Sequence, residues 1–385
     1  MASATILPYF TGSQICGLAI LNYPNYEYQG WHVTLIGYAT IALVVAFNIF
    51  ARKTLRLIEI IGAVMHFLFL IVFVVVLPTL GGRNSASYVF FGNSGGVSGW
   101  DNSTIEWCIG LLSAVFPLTG FDGVLHLSDE VEKPETRIPK AMIASFLCNT
   151  VVSFGFMVCL LFFMGDPNAA LNSATGWPII QICYQAAEQL AGANALMAML
   201  IIPGIVSYFN NMASVARLTW AFARDDGLPF SDYFKVLTPG IKVHPTLRMP
   251  IRAVMLTSFV TMLLLLIPIG SATAFNDILS LAIVGLYFSY TTPPLFIFMQ
   301  RLNGDEIAPS AYALGRWGVW INGAASVYGL FIIIWLCFPT ELPVTATTMN
   351  WSGPIMGFII IFALIDWMFR GRHKFAVPVE KDVIY

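Results

Sequence analysis

The sequence predicts an all-α integral membrane protein with about ten transmembrane helices. Of its 385 residues, 57% are hydrophobic and only 10% are charged, whereas about a quarter of the residues in a soluble domain are charged. Runs such as "FLFLIVFVVVLP" show no alternation of apolar and polar residues, which excludes the strands of a transmembrane barrel. A helix is then the structure that pairs every backbone N–H and C=O group inside lipid.

Ten apolar runs have the length that a transmembrane helix needs, because about 20 helical residues cross a hydrocarbon core of ~30 Å. Together they predict a single transmembrane domain over residues 1 to 385. The predicted spans are residues 3 to 21, 32 to 50, 57 to 79, 104 to 128, 141 to 164, 195 to 220, 251 to 269, 275 to 299, 315 to 338 and 352 to 370.

Three connections between these spans are long. Residues 80 to 103 are rich in Gly, Ser and Asn, and residues 221 to 250 are basic and rich in Pro and Gly. Residues 165 to 194 contain "WPIIQICYQAAEQLAG", whose apolar residues recur at helical spacing and predict a short helix on the outer surface. No soluble domain could be built from these segments.

The positive charges indicate the orientation of the chain. If the N-terminus lies in the cytoplasm, every Lys and Arg except Arg83 falls in a cytoplasmic connection or in the C-terminal tail. Cytoplasmic loops of membrane proteins carry such an excess of positive charge. The pattern therefore predicts an even number of spans with both termini in the cytoplasm.

The fourth span carries residues that break a helix. In "FPLTGFDGVLHLSDEVEKPETRIPK", residues 116 to 140, Pro117 removes a backbone donor, and Gly120 and Gly123 lower the cost of leaving helical geometry. Asp122 is costly in hydrocarbon unless it faces a cavity or a partner. These residues predict a discontinuous helix of the kind that transporters use to bind substrates and ions. The alternative is a kink that serves packing alone.

The charged run that follows, "SDEVEKPETRIPK", could be mistaken for a catalytic carboxylate cluster. Its charges alternate in sign and it comes directly after a span, which favours a solvated cytoplasmic loop with salt bridges. Pro134 and Pro139 are expected to separate the fourth span from the fifth.

Several motifs resemble one transporter family. They are "FPLTGFDGVLHLSDEVEKPETRIPKAM" (116 to 142), "ASVARLTWAFARDDGLPFS" (213 to 231), "GSATAFNDILSLAIVGLYFSYTTPPL" (270 to 295), and the shorter "LNYPNY", "GRWG" and "LPVTATTMNW". Their combination resembles the amino acid/polyamine/organocation superfamily, and in particular fungal amino acid, GABA and choline permeases. The resemblance covers essentially the whole chain and implies a fold built from inverted repeats.

The position of the motifs implies that part of the family's fold is absent. The fourth span here corresponds to the family's sixth helix, so we expect the first two helices and part of the third to be missing, on the order of 100 to 150 residues. In the family, substrate lies between the first and sixth helices, which are both broken. Half of the binding site would then be absent.

The resemblance implies a secondary active transporter of amino acids or related amines, such as GABA or choline, that works by alternating access. A proton is the expected coupling ion, and the plasma membrane is the expected location. Backbone carbonyls near the start of the broken segment would meet the amine, and its last two residues would bound the cavity. The residues that the resemblance assigns to substrate binding are Phe116, Pro117, Leu118, Thr119, Gly120, Phe121 and Asp122.

Two other functions stay open. One is a non-transporting nutrient sensor, which would normally carry longer cytoplasmic extensions than the tail at about residues 371 to 385. The other is a non-functional fragment, produced by a truncated gene model or a splice form.

Four other polar or aromatic positions are candidates for the cavity or for coupling. His66 could exchange a proton, although a neutral histidine hydrogen-bonded to a neighbouring helix is the favoured interpretation. Asn210 and Asn211 either bind substrate or, as we favour, join helices. Tyr287 and its neighbour Tyr290 either line the cavity or pack in the core.

The sequence gives no support to an enzyme. It contains no P-loop, no nucleotide-binding glycine pattern and no metal-ligand pair at helical spacing, and its five histidines are widely scattered. We expect no cofactor, no metal and no nucleic-acid partner. The expected partners are a small amine-bearing solute, a proton and the lipid bilayer.

Overall fold

The computed structural model describes residues 1–92, 98–236, 250–305, 307, 311–346 and 348–375. Within these ranges every regular element is helical. The α-helices are α1 (Ala2–Asn22), α2 (Gly30–Phe50), α3 (Arg52–Leu80), α4 (Ala86–Phe91), α5 (Ser103–Val115), α6 (Pro134–Phe163), α7 (Pro167–Leu171), α8 (Pro178–Ala187), α9 (Leu190–Arg224), α10 (Ser231–Phe234), α11 (Ile251–Leu264), α12 (Ile267–Gly270), α13 (Ala272–Asn303), α14 (Gly318–Leu336), α15 (Ser352–Asp366) and α16 (Arg372–Lys374).

Ten helical segments of the described chain are long and apolar enough to cross a membrane. They are α1, α2, α3, α5 with the irregular segment after it, α6, α9, α11 with α12, α13, α14, and α15 with the short turn and α16 that follow it. The predicted all-α class and the count of about ten spans are confirmed. Two stretches lie outside the described residues: 237–249 of the predicted basic connection and 376–385 of the predicted cytoplasmic tail.

The largest buried side chains join α1, α2, α9 and α11. Tyr208 and Met212 of α9 are fully buried and pack with Ala4 of α1, Val44 of α2 and Leu265 after α11. Burying such side chains contributes about 1.5–3 kcal/mol each relative to exposure in water. In lipid the gain comes mainly from close packing, because hydrocarbon chains are as apolar as the side chains themselves.

The start of α9 is held by a pair of amides. The Asn22 side chain at the end of α1 donates to Asn194 Oδ1 at 2.8 Å, and the Asn194 side chain donates back to Asn22 Oδ1 at 2.8 Å. Such polar pairs join helices at membrane depth, where water is scarce.

The predicted short helix between the fifth and sixth spans is α8. Its apolar residues Ile180 and Cys183 are fully buried, and they pack with Phe73 and Leu77 of α3 and Met197 of α9. The apolar face of α8 therefore contacts the protein core, whereas a helix lying in a bilayer interface would turn that face to lipid.

The boundary between the fourth and fifth spans corrects one expectation. Pro134 begins α6, where its missing N–H is not needed. The prediction that Pro139 also separates the spans is wrong, because α6 continues through it. Pro139 removes a single hydrogen bond from the carbonyl of Glu135, an exposed residue whose carbonyl water can satisfy. The predicted salt bridge in this region is present between Arg137 and Glu132 at 3.3 Å.

The last span is tied to the end of α9 by Arg370. Its guanidinium makes two hydrogen bonds to the carboxylate of Asp366, at 2.8 and 2.6 Å. It also donates to the carbonyls of Asp226, Gly227 and Leu228, at 3.1, 2.7 and 3.2 Å. All five N–H donors of the guanidinium are thus engaged, and the turn after α9 is fixed against the last span.

One face of the bundle, formed by α3 and α6, is apolar and exposed. Within the described part of α6, Ile138 is the one buried residue. Lipid chains or further apolar helices can cover such a face without loss. Its exposed side chains include Leu57, Ile60, Ile61, Val64, Phe67 and Leu68 of α3 and Ile143, Phe146, Leu147, Val151 and Phe154 of α6.

Candidate functional site

The fourth span is discontinuous, as its Pro and Gly residues predict. Helix α5 ends at Val115 and is followed by one 3-10 turn, Phe116–Leu118. Thr119 is then extended, with φ −84° and ψ 164°, and Gly120 is left-handed, with φ 83° and ψ 6°. A 3-10 segment resumes over Phe121–Glu130. Backbone groups are therefore released from regular helical bonding at membrane depth.

The left-handed backbone at position 120 requires a glycine. A side chain raises the energy of a left-handed residue because Cβ approaches the carbonyl oxygen. A Cβ at Gly120 would meet no other atom within 4 Å. The requirement for glycine therefore comes from φ and not from crowding.

The released carbonyls are held by donors from the protein. The Phe116 carbonyl accepts from the hydroxyl of Thr119 at 2.7 Å and from its backbone N–H at 3.2 Å. The Pro117 carbonyl accepts from Asn149 Nδ2 of α6 at 2.5 Å. These bonds stabilise the open backbone geometry. Each carbonyl oxygen has two lone pairs, so two donors fill the Phe116 carbonyl, whereas the Pro117 carbonyl can accept one more donor beside Asn149.

Asp122 is the centre of a short hydrogen-bond network. Its Oδ1 accepts from the Tyr290 hydroxyl of α13 at 2.5 Å, and its Oδ2 lies 3.3 Å from His126 Nε2. The same Tyr290 hydroxyl accepts from the Gly120 N–H at 3.2 Å. The carboxylate side chain is 19% exposed. A carboxylate in a membrane span is tolerated when it is paired in this way.

Aromatic rings surround this network. The Phe121 ring lies 4.9 Å from the Tyr290 ring and 5.9 Å from the Phe146 ring of α6. Tyr287 is 5.9 Å from Tyr290 and 6.4 Å from Tyr328 of α14, measured between ring centroids. These rings pack the broken segment between α6 and α13.

A cavity of about 360 Å³ opens beside the break. Four helical segments line it: α3, the broken segment at Pro117, α6 and α9. Its polar side chains are His66, Asn149, Ser153 and Ser207, and the remaining lining residues are Phe69, Leu70, Phe73, Pro117, Val152, Phe156, Met199, Leu200, Pro203 and Gly204. A small, mostly apolar cavity with a few polar groups is typical of a site for a small molecule.

A second, larger cavity of about 760 Å³ lies between the 3-10 segment and α6. Apart from Ser128 and Glu135, its lining is apolar, and it includes Phe121, Leu125 and Phe146. Because it contains few groups that could orient a polar solute, the smaller cavity is the better candidate for the functional site despite its lower volume.

Comparison with known proteins decides the family. The family model described as amino acid permease matches residues 1–362. This chain belongs to the amino acid permease family. The predicted resemblance to this group is therefore confirmed, and with it the permease class.

The relatives of this permease include fungal transporters. A putative amino acid/polyamine transporter of Macrophomina phaseolina is 32% identical over 350 residues, which are 90% of this chain and 75% of that protein. The choline transporter of Saccharomyces cerevisiae is 28% identical over 374 residues, 96% of this chain and 64% of that protein. Amino-acid permease 2 of Neurospora crassa is 28% identical over 289 residues, which are 73% of this chain and 50% of that protein. The permease thus spans from half to three quarters of the length of these relatives.

The structure brings some of the predicted residues together. The segment from Phe116 to Asp122 forms the break, and His66 lines the same cavity as Pro117. Among the described residues, no hydrogen bond joins His66 to a neighbouring helix, which was the favoured interpretation. Its ring lies 6.3 Å from the ring of Phe67, and its side chain lines the cavity.

Asn210 and Asn211 differ in their surroundings. Neighbouring residues on a helix point about 100° apart. Asn210 is exposed, whereas Asn211 Oδ1 is buried with no hydrogen-bond partner among the described residues. Neither residue lines the cavity. The amide pair that joins helices is Asn22 with Asn194.

Three side chains that contact the break were missed or undervalued in the sequence. Tyr290 reaches Asp122, whereas Tyr287 is 9% exposed and packs one turn away. His126 lies four positions after Asp122, a spacing that could have signalled the contact. Asn149 is an isolated amide in an apolar span, and nothing in its spacing points to Pro117. Among the described residues, no cluster of His, Cys, Asp and Glu could hold a metal ion.

Proposed function

We propose that the permease moves a small amine-bearing solute, such as an amino acid, GABA or choline, across a membrane by alternating access. The observation that carries this proposal is the break from Phe116 to Asp122, where regular helical bonding of the backbone stops and where Pro117 lines a cavity of about 360 Å³. Transporters bind substrates at such interruptions near the bilayer midplane.

The charge of the site favours a cation. Helix α5 ends at the break, so the negative end of its dipole points into the segment Phe116–Leu118. Asp122, which belongs to the same broken segment but not to the lining of the cavity, adds a carboxylate to the break. No Lys or Arg is found among the residues lining the cavity. An ammonium group would therefore be attracted, and backbone carbonyls can accept its N–H groups.

The alternating movement would involve the break itself. Tyr290 of α13 holds Gly120 and Asp122, and Asn149 of α6 holds Pro117. Each contact joins the broken segment to a different helix. Exchanging these contacts for contacts with a substrate gives the site two states, which is what a binding-driven change requires.

The coupling ion in this proposal is a proton, and His66 is the residue that tunes coupling. Histidine readily exchanges a proton near neutral pH, and His66 lines the cavity with Pro117. A His66→Ala permease whose uptake keeps the pH dependence of the parent would contradict this role.

The proposed location is the plasma membrane, with both termini in the cytoplasm. The distribution of Lys and Arg between connections supports this orientation. Tags at the two termini would be tested for access to protease in intact cells. Cleavage of either tag from outside would overturn the orientation.

Uptake of labelled solutes tests the proposed activity directly. The purified chain would be reconstituted in liposomes and given choline, GABA and a mixture of amino acids, with and without a pH gradient. We expect saturable uptake of at least one solute, and a loss of uptake after collapse of the gradient.

Uptake by an Asp122→Asn variant should be at least about tenfold lower than uptake by the parent, because the substitution removes a negative charge that would balance the ammonium group of the solute. The matched control is Asp277→Asn, which changes an acid at the start of another span whose carboxylate accepts from the Trp351 N–H at 3.3 Å. Absence of saturable uptake in the parent, or equal activity of the two variants, would contradict the proposal.

A further inference from the structure

A proline of the sixth span faces the same cavity as the broken fourth span. Pro203 lies inside α9, thirteen residues after its start at Leu190. Pro203 and Met199 both line the cavity of about 360 Å³, and Pro117 of the break lines it as well. The cavity is thus bordered by two helices that prolines interrupt.

Pro203 changes the hydrogen bonding of α9. In an uninterrupted helix, the N–H of residue 203 would donate to the carbonyl of residue 199. Proline has no N–H, and its ring crowds the carbonyl four residues earlier. The Met199 carbonyl therefore lacks its normal helical donor.

The Met199 carbonyl lies on the cavity side of α9. Residues four apart share one face of a helix, and Met199, Pro203 and Ser207 all line the cavity. A Cβ at Gly204 would meet no atom within 4 Å. No neighbouring helix therefore fills the space beside Gly204, next to Pro203 on the wall of the cavity.

Two polar neighbours in the cavity use their donors elsewhere. The side-chain amide of Asn149 donates to the Pro117 carbonyl at 2.5 Å, and the Ser153 hydroxyl donates to Asn149 Oδ1 at 3.3 Å. A carbonyl that lacks a donor at membrane depth costs free energy, so a ligand that carries N–H groups would gain by supplying one.

We infer that the Met199 carbonyl is the second acceptor of an ammonium site, opposite the carbonyls at the end of α5. The inference rests on the proposed function and narrows its substrate class to solutes with a primary ammonium group. Such a group carries three N–H donors and can bridge carbonyls of α9 and of the broken segment. A quaternary ammonium has no N–H donor and therefore cannot form this hydrogen bond with the Met199 carbonyl.

A Pro203→Ala variant tests this role, because it restores the N–H that an uninterrupted helix would donate to Met199. Binding of ethanolamine to the purified chain in lipid nanodiscs would be measured in potassium buffer. We expect the affinity for ethanolamine to fall about tenfold, the effect of losing one well-placed acceptor. The midpoint of thermal unfolding should rise by about 2 °C or more, since a proline is removed from a helix interior.

The opposite signs of these two changes separate a binding role from a structural one. The matched control is Pro78→Ala, which removes an exposed proline from inside α3 and away from the cavity. It should raise the unfolding midpoint and leave the affinity for ethanolamine unchanged. Choline, the N-methylated analogue of ethanolamine, should bind the Pro203→Ala variant within about twofold of the parent, because it donates no N–H group to the carbonyl.

Three results would overturn the inference. The Pro203→Ala variant could bind ethanolamine as tightly as the parent does, or it could lose equal affinity for choline and for ethanolamine. In the third, Na⁺ would compete with ethanolamine for the parent but not for the variant. The last would assign the carbonyl to a metal cation. If the parent chain binds none of ethanolamine, choline, GABA and the amino acids, the proposed function itself fails. Ethanolamine that binds the parent and the Pro203→Ala variant with equal affinity rejects the ammonium site alone.

Discussion

The left-handed residue in the broken span offers a clean test of how the break is encoded. Gly120 has φ 83°, and a Cβ there would meet nothing within 4 Å. A Gly120→Ala substitution therefore adds backbone strain without a collision. Forcing an L-residue into this conformation costs about 1–2 kcal/mol, so the free energy of unfolding should fall by about that amount.

Gly123 provides the matched control for this prediction. It lies three residues later in the 3-10 segment, and a Cβ there would also meet nothing within 4 Å, but its φ is not in the left-handed region. Gly123→Ala should change stability by less than about 0.5 kcal/mol or raise it slightly, because alanine restricts the unfolded chain. Unfolding by denaturant in detergent micelles, followed by tryptophan fluorescence, compares the two variants. Equal stabilities would refute the reasoning that Gly120 is needed for its φ.

Three further predictions concern other contacts. Tyr290→Phe removes the hydrogen bond to Asp122 and should lower the free energy of unfolding by about 1.5–3 kcal/mol, as for other bonds to a charged group; an unchanged unfolding curve would contradict it. Arg370→Lys loses the forked contacts to the turn after α9 and should lower the midpoint of thermal unfolding, which an equal or higher midpoint in a scanning measurement would rule out. In the loop after α9, Lys235 donates a hydrogen bond to the carboxylate of Asp232. This bond lowers the pKa of Asp232 below its ordinary 3.8 and raises the pKa of Lys235 above its ordinary 10.5. The pair's small stabilisation should therefore be present between these two values and be lost as pH falls below the first or rises above the second. The unfolding midpoints of the parent and of Asp232→Asn would be measured against pH. The difference between them should shrink at both pH extremes, and a difference that grows there would contradict a stabilising role of the pair.

Much of the fold could be predicted because membrane helices obey strong local rules. Each apolar run long enough to cross the bilayer forms a helix, and the count of ten follows. Pro117 and Gly120 predict the break by removing a donor and by permitting positive φ. The start of the fifth span was less predictable, since α6 begins at Pro134 and continues through Pro139. A proline near an exposed helix start costs little, which the sequence pattern does not reveal.

The candidate site was only partly predictable, because its partners come from distant positions. Tyr290 is 168 residues from Asp122, and Asn149 is 32 residues from Pro117. The paired asparagines at 210 and 211 suggested a joint role, but helical geometry turns them apart. Asn22 and Asn194, whose side-chain amides are hydrogen-bonded to each other, are separated by 172 residues.

The membrane class, the helices, the point at which the fourth span breaks and the family of the motifs can all be read from the amino-acid order. These properties depend on local composition and on the cost of unpaired backbone in lipid, which act over a single span. The side chains that hold the break and the helices that share its cavity become visible once the helices are packed together. Their identity depends on how α3, α6, α9 and α13 pack around the broken segment, and helix packing brings together side chains that no spacing along the chain relates.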